Sequence, residues 1–223
     1  MINESIYWRK ELLRISTSLK KKKDINIWTN VKNAEFEKEI MIGFFIIRKL
    51  IESNKLTNRI ISTNIKGLKY PSNGKKINLM NNHKFLEFYD FKKESIAKFD
   101  LQFLINLFVH SYIFFAILEV TDENYKYEDN ETSYEYSKIY AKAPKKITSI
   151  LFNSDTLKDE FLYEIELEKI TNLFDTIGKC EVTARKMKFN AKKNDYDIFQ
   201  TDEKTQITTE MERMLTELES NKL

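Results

Sequence analysis

The amino-acid sequence predicts an α+β fold: N-terminal helices packed with a buried central helix, an antiparallel sheet of three to five strands, and a C-terminal amphipathic helix. Three observations lead to this prediction. Apolar residues recur at helical spacing in the first fifty positions. The apolar stretch Phe99–Val120 changes from helical spacing to strand-like alternation. Further alternating segments, bounded by turn residues, continue to Leu167.

The composition bounds the organisation and the class of protein. The chain has 223 residues, of which 42% are hydrophobic, with four glycines and two prolines. A chain of this length forms one large domain or two small ones, and we assign residues 1–200 to a single α+β domain and 201–223 to a separate C-terminal helix. The net charge of +3 is too small for a strongly basic nucleic-acid binder. The single cysteine, Cys180, excludes an internal disulfide and a multi-cysteine zinc site.

The central stretch is expected to form the middle of the molecule. Asp100 precedes the apolar run and is typical of a helix N-cap. The helix after it is apolar nearly all round, which is typical of a buried helix, and alternation from Ile113 onward predicts a strand.

A membrane span is the alternative for this stretch, because its length is close to the roughly 20 residues that a span needs. Five polar or amphipathic side chains interrupt its middle: Gln102, Asn106, His110, Ser111 and Tyr112. The N-terminus also lacks the apolar core of a signal peptide. We therefore expect a cytoplasmic protein without a membrane partner.

The N-terminal half is predicted to contain two amphipathic helices, Asn3–Leu19 and Lys32–Ser53. Gly43 in the second helix is expected to allow close approach of the central helix. The segment Arg59–Ile65 predicts a short strand, whereas His83–Lys98 fits a strand or a helix equally.

The C-terminal half is predicted to be a meander followed by helices. Strands are expected at Tyr134–Lys142, Ile147–Phe152 and Phe161–Leu167, then a helix over Glu168–Ile177 that ends at Gly178 as its C′ residue. Val182–Phe189 is typical of a basic edge strand. The final helix, Thr201–Lys222, carries a narrow apolar stripe that packs on the domain or pairs with a second copy.

Asn106 and His110 are the one pair of residues in a pattern that can carry chemistry. They are four positions apart and therefore share one helix face. Two interpretations stand side by side. Either the two are buried core residues that hydrogen-bond to each other or to backbone, or they are catalytic residues at a site.

The segment Asn106-Leu107-Phe108-Val109-His110 resembles the motif of HEPN domains, which are all-helical modules that often act as RNases in bacterial defence and toxin systems. The family pattern is an Arg, commonly followed by a polar residue, with a His several residues later. Asn106 matches the polar position and His110 matches the His, but Ile105 occupies the Arg position. In the family, the Arg guanidinium neutralises the charge of the scissile phosphate. Because this chain lacks that Arg, the resemblance implies RNA binding or a degenerate RNase. The helix with Asn106, His110 and Ser111 is also similar to that of uncharacterised bacterial proteins.

Two basic segments are candidate nucleic-acid contacts, and surface lysines are the simpler interpretation of both. Their candidate residues are Lys66, Lys69, Lys75 and Lys76 in the first segment, and Arg185, Lys186 and Lys188 in the second.

The acidic segment Thr121–Tyr136 is predicted to be an exposed loop. It lacks the glycine that a calcium loop needs at its bend, and no other pattern favours a metal or cofactor. The common phosphate-loop, hydrolase and metalloprotease motifs are missing from the sequence. We therefore expect a non-catalytic interaction or regulatory module, in a bacterial or phage conflict system. Its partner is a protein or a second copy held through residues 201–223; RNA binding is the alternative.

Overall fold

The computed structural model describes residues 3–22, 28–125, 138 and 140–202. These residues form the α+β fold that the sequence predicted. Three of the helices are long, one is a single turn and one spans nine residues: α1 (Ser5–Lys21), α2 (Asn30–Glu52), α3 (Asn58–Ile61), α4 (Leu101–Val109) and α5 (Leu167–Gly178). Short 3-10 helices cover Asn82–Phe88, Phe91–Lys93 and Glu123–Tyr125.

Five strands form one antiparallel sheet in the order β2-β1-β5-β4-β3. They are β1 (Asn64–Pro71), β2 (Ser95–Asp100), β3 (Ser111–Val120), β4 (Lys145–Ser154) and β5 (Phe161–Glu166). The predicted meander is β3-β4-β5, and the β1–β2 pair extends it beyond β5. A separate two-stranded hairpin is made of β6 (Ala184–Asn190) and β7 (Asp195–Thr201).

The central stretch forms a buried helix that leads directly into a strand, as predicted. The Asp100 carboxylate accepts a hydrogen bond from the backbone N–H of Phe103 at 2.7 Å, which caps α4. Phe108 is fully buried. Its ring stacks between those of Phe44 and Phe152, with centroid distances of 4.0 and 4.3 Å. This stack joins α2, α4 and the sheet into one core.

The sheet has an apolar cluster on each face. On one face, α2, α4 and α5 pack against Phe99, Phe152 and Ile165. On the other face, the segment between β1 and β2 covers part of the sheet with Phe85 and Phe88. The apolar run is thus divided between a nine-residue helix and a ten-residue strand. Within the described residues, no helix has the length and apolarity needed to cross a membrane.

Four details of the predicted structure were wrong. The segment Arg59–Ile65 is divided between α3 and the start of β1, because Thr57 accepts from the Ile60 N–H and caps a helical turn. The strand predicted at Tyr134–Lys142 lies partly outside the described residues, and its described residues 138 and 140–142 are helical and not extended. Gly43 faces the ring of Phe174 on α5, and not the central helix. The fourth error concerns the end of α5.

Gly178 is the last residue of α5, and not a left-handed residue after it. A Cβ atom at this position would lie 2.6 Å from the Leu13 side chain and 3.2 Å from the carbonyl oxygen of Arg9. The glycine is therefore needed because α1 crosses α5 here, and not because the helix ends. The predicted C-terminal helix lies outside the described residues, as does most of the acidic loop.

Candidate functional site

Asn106 and His110 lie on the exposed face of α4, so the core interpretation of the pair was wrong. Both residues are exposed. The Asn106 side chain accepts a hydrogen bond from Gln102 Nε2 at 3.2 Å. His110 is the C-cap of α4, and its backbone N–H donates to the Asn106 carbonyl at 3.0 Å. Its ring makes no hydrogen bond with the residues that the structure describes, so both ring nitrogens are available to a ligand.

The surroundings of His110 are held by a buried polar network. The carbonyl of His110 accepts from the Asp155 N–H at 3.1 Å in the turn between β4 and β5. Beside it, the buried amide of Asn153 donates to the Tyr89 hydroxyl at 2.7 Å and accepts from the Ile113 N–H at 3.1 Å. Burial raises the pKa of Tyr89, which keeps its hydroxyl protonated as a donor to the Lys158 carbonyl. The buried polar groups that support this end of the sheet therefore have hydrogen-bond partners within the protein.

Several basic residues lie at the same end of the sheet as His110, which we call the His110 end. Lys69 lies near the end of β1, and its ammonium is 4.8 Å from the centre of the Phe161 ring. Lys75 and Lys76 are exposed in the loop that follows. That loop joins this end because the Ile77 N–H donates to Asp159 Oδ1 at 2.9 Å.

Lys158 is a further basic residue of the His110 end that the sequence did not indicate as a candidate. Its ammonium lies 5.1 Å from the centre of the Tyr112 ring and donates to the Asp155 carbonyl at 2.7 Å. Lys158 falls in a short polar turn rather than in a basic run, so only the contact between β3 and the β4–β5 turn places it next to His110.

The second predicted basic segment lies at the opposite end of the molecule from the His110 end. Arg185 donates to the Asn54 carbonyl at 2.5 Å, and the Gln200 N–H donates to the Asn58 side chain at 2.7 Å. These contacts place the hairpin beside α3, before β1 begins, while His110 lies beyond the opposite end of β1. Lys66 lies in between, on the part of β1 that pairs with Lys98. The predicted basic residues therefore do not form one surface.

The hairpin carries an exposed apolar surface that the sequence did not identify. Met187 pairs across the strands with Ile198, and Phe189 pairs with Tyr196, so these four residues share one side, which we call the hairpin face. Met187, Phe189 and Tyr196 are 51%, 53% and 51% exposed. The rings of Phe189 and Tyr196 meet edge to face at 5.4 Å. The only sequence signal for this surface was the imperfect alternation of Val182–Phe189, which fits an edge strand as well as an exposed apolar face.

A polar cluster crosses the sheet between its two ends. Glu164 on β5 accepts from the Tyr70 hydroxyl at 2.5 Å and from the Ser149 hydroxyl at 2.6 Å. Burial, followed by the hydrogen bond to Glu164, raises the pKa of Tyr70, so this phenol acts as a donor. The cluster ties β1, β4 and β5 together and has the character of a structural network.

Two lysines at the C-terminal end of α1 form ion pairs with other helices. Lys20 pairs with Asp175 on α5, and Lys22 pairs with Glu39 on α2 at 2.9 Å. Across residues 3–22, 28–125 and 140–202, no three His, Cys, Asp or Glu side chains converge in a way that would hold a metal ion. Comparison with protein-family models, with curated proteins and with solved structures finds no match to this chain.

Proposed function

We propose that this protein is a non-catalytic interaction module that binds a protein partner through the hairpin face. The observation that carries the proposal is the half-exposed state of Met187, Phe189 and Tyr196 on one side of a two-stranded sheet. Contiguous exposed apolar surface of this kind marks interaction sites in soluble proteins. Aromatic residues and methionine are also enriched in interface cores.

The geometry of the hairpin face supports binding of a preformed partner surface. The edge-to-face contact of Phe189 with Tyr196 restricts both rings before a partner arrives, which lowers the entropy cost of binding. Residues 184–201 carry five basic and two acidic side chains, which gives this ribbon an excess of positive charge. The matching partner surface is therefore apolar at its centre and acidic at its rim.

The test is capture of partners from cells of the source organism by tagged protein, compared among three forms. The double variant Phe189→Ser with Tyr196→Ser removes both rings without changing the charge. The control Tyr7→Ser removes a ring that is 69% exposed on α1. We expect a defined protein to be captured by the wild type and the control and lost with the double variant. Equal capture by all three forms, or no capture by the wild type, would contradict the proposal.

RNA binding at the His110 end is a second candidate, as the resemblance to HEPN domains implies. What supports it is the exposure of Asn106 and His110 at the same end of the sheet as Lys75 and Lys76. Ile105, at the Arg position of the motif, is fully buried, which favours binding over cleavage. The five-stranded sheet is not a feature of that all-helical family, so we place this candidate second. A role in a bacterial or phage conflict system stays a prediction.

The RNA candidate is tested by binding and cleavage of single-stranded RNA at several salt concentrations. Wild type is compared with His110→Ala and with Lys75→Gln plus Lys76→Gln, and Lys186→Gln plus Lys188→Gln is the matched control for two exposed lysines at the other end of the molecule. Each phosphate contact that is lost lowers the slope of log K against log salt by about 0.7 for single strands. Unchanged affinity in the His110 and lysine variants would reject this candidate and leave the hairpin proposal intact.

A further inference from the structure

A cavity of about 350 Å³ opens between the beginning of α1, the turn after α2 and the segment that leads into β6. Its wall includes Ser5 and Arg9 of α1, Lys55, and residues 181–185. The volume lies within the range of roughly 300–1,000 Å³ that is typical of small-molecule sites. It is distinct from the hairpin face, although both use the start of β6.

Positive charge dominates the wall of this cavity. Arg9, Lys55 and Arg185 are its cations, and Glu181 is the one carboxylate among the residues that line it. Arg9 donates to the carbonyl of Cys180, and Arg185 donates to that of Asn54. Because carbonyl groups carry no net charge, these bonds position the two guanidinium groups without neutralising them.

The remaining charges of the cavity are also unpaired. Within the described part of the chain, neither Lys55 nor Glu181 takes part in an ion pair. The four ionisable side chains therefore leave an excess of two positive charges at the wall. A phosphate monoester, with its charge of about −1.5 to −2 at neutral pH, matches that excess.

Several N–H donors beside the cavity also lack acceptors. Arg9 Nε is a buried side-chain donor that has no acceptor among the described residues. Ser5 is the first residue of α1, and the preceding Glu4 makes no capping hydrogen bond through its side chain. Glu4 is acidic, but its side chain caps none of the first N–H groups of α1, and the first turn itself contains no acidic residue. Oxygen atoms of an anion in the cavity supply acceptors for these backbone N–H groups.

We propose that this cavity binds a small phosphorylated molecule. Arg9 and Arg185 supply guanidinium donors to the phosphate oxygens, and Lys55 supplies a point charge. Ser5 and Thr183 add polar contacts at the wall. The proposal goes beyond the interaction function and does not depend on it, because neither aromatic ring of the hairpin face lines the cavity.

The test is calorimetric titration of the full chain with inorganic phosphate, AMP and adenosine at low salt. We expect phosphate and AMP to bind and adenosine not to bind. Lys55→Gln and Arg185→Gln should each weaken AMP binding about tenfold or more, because each removes a charged contact. Lys186→Gln is the matched control, since it removes a neighbouring charge from the opposite side of β6 and should change the affinity less than twofold.

The outcomes distinguish a small phosphorylated ligand from RNA, and they test the cavity proposal separately from the hairpin-face proposal. The assignment would be overturned if neither AMP nor phosphate bound at millimolar concentration. It would also be overturned if the Lys55→Gln and Arg185→Gln variants bound AMP as tightly as the wild type does. Binding of a short single-stranded RNA without AMP binding would also overturn it, in favour of a nucleic-acid surface. Circular dichroism of each variant checks the fold. The ring-deleting variant at Phe189 and Tyr196 should bind AMP normally, so failure of one proposal is distinguishable from failure of the other.

Discussion

Replacement of Phe108 by alanine tests whether the aromatic stack is the centre of the core. Phe108 is fully buried and stacks on Phe44 at 4.0 Å and on Phe152 at 4.3 Å. Removing a fully buried phenylalanine from the core forfeits about 1.5–3 kcal/mol of transfer free energy. Each lost ring pair adds about 0.5–1.5 kcal/mol. We therefore expect Phe108→Ala to lower the free energy of unfolding by about 4 kcal/mol, within the usual range for such truncations.

Urea denaturation followed by circular dichroism and fluorescence measures this loss. A decrease of about 4 kcal/mol is a large part of the roughly 5–15 kcal/mol that stabilises a typical native protein. Phe115→Ala is the matched control, because this ring is on β3 but is 47% exposed. It should cost no more than about 1.5 kcal/mol, in proportion to the smaller area it buries. If Phe108→Ala cost less than Phe115→Ala, the stack would not be the centre of the core.

Four further predictions follow from individual contacts. Asp100→Ala should cost about 0.5–2 kcal/mol by removing the cap of α4, measured by urea denaturation, whereas Asp100→Asn should restore most of it. Gly178→Val should destabilise by about 1–3 kcal/mol through overpacking against α1, and an unchanged thermal midpoint would refute that close approach. His110→Ala should change stability by less than about 0.5 kcal/mol, since its exposed ring makes no contact that the fold requires. Burial raises the pKa of the Asp175 carboxyl, but hydrogen bonds, chiefly from Lys20, outweigh burial and lower it overall. The stabilisation that Lys20 gives through Asp175 is complete above the ordinary carboxyl pKa of about 4, and it is lost as the pH falls through the folded-state pKa of Asp175. Lys20→Met should therefore cost at most about 1 kcal/mol at pH 7 and progressively less as the pH falls below about 4, and a cost that does not change with pH would contradict the pairing.

The fold was predictable where local pattern and burial agree. The run after Asp100 is apolar nearly all round, so a buried helix followed by a strand was the natural interpretation of the sequence. The β5 segment alternates between apolar and acidic residues, and it pairs with β4 as expected. The α3 turn was missed because Ile60, Ile61 and Ile65 fit a strand by composition, while the cap from Thr57 decides the local structure.

The sites were less predictable than the fold, because they depend on which segments meet. Helical spacing placed Asn106 and His110 on one face, but spacing does not say whether that face is covered. The basic residues of the two predicted segments were similar in sequence, yet the sheet topology carries Lys75 and Arg185 to different ends of the molecule. Arg9 and Lys55 gave no signal at all. They lie on separate elements, 46 positions apart, and only the crossing of α1 near the start of β6 brings them to one cavity.

The immediate passage from α4 into β3 at His110 has a consequence for insertions and deletions. Because side chains of a strand alternate between faces, one additional residue between Val109 and Ser111 would turn Ile113 and Ala116 to the wrong sides of the sheet. The register of β3 against β4 already shifts between Ser111 and Ile113, so at most Tyr112 is available at the junction to absorb the change, whereas the turn at 191–194 of the hairpin lies outside both strands. Insertions and deletions should therefore be tolerated at the hairpin tip, whereas at the junction they should destabilise the fold.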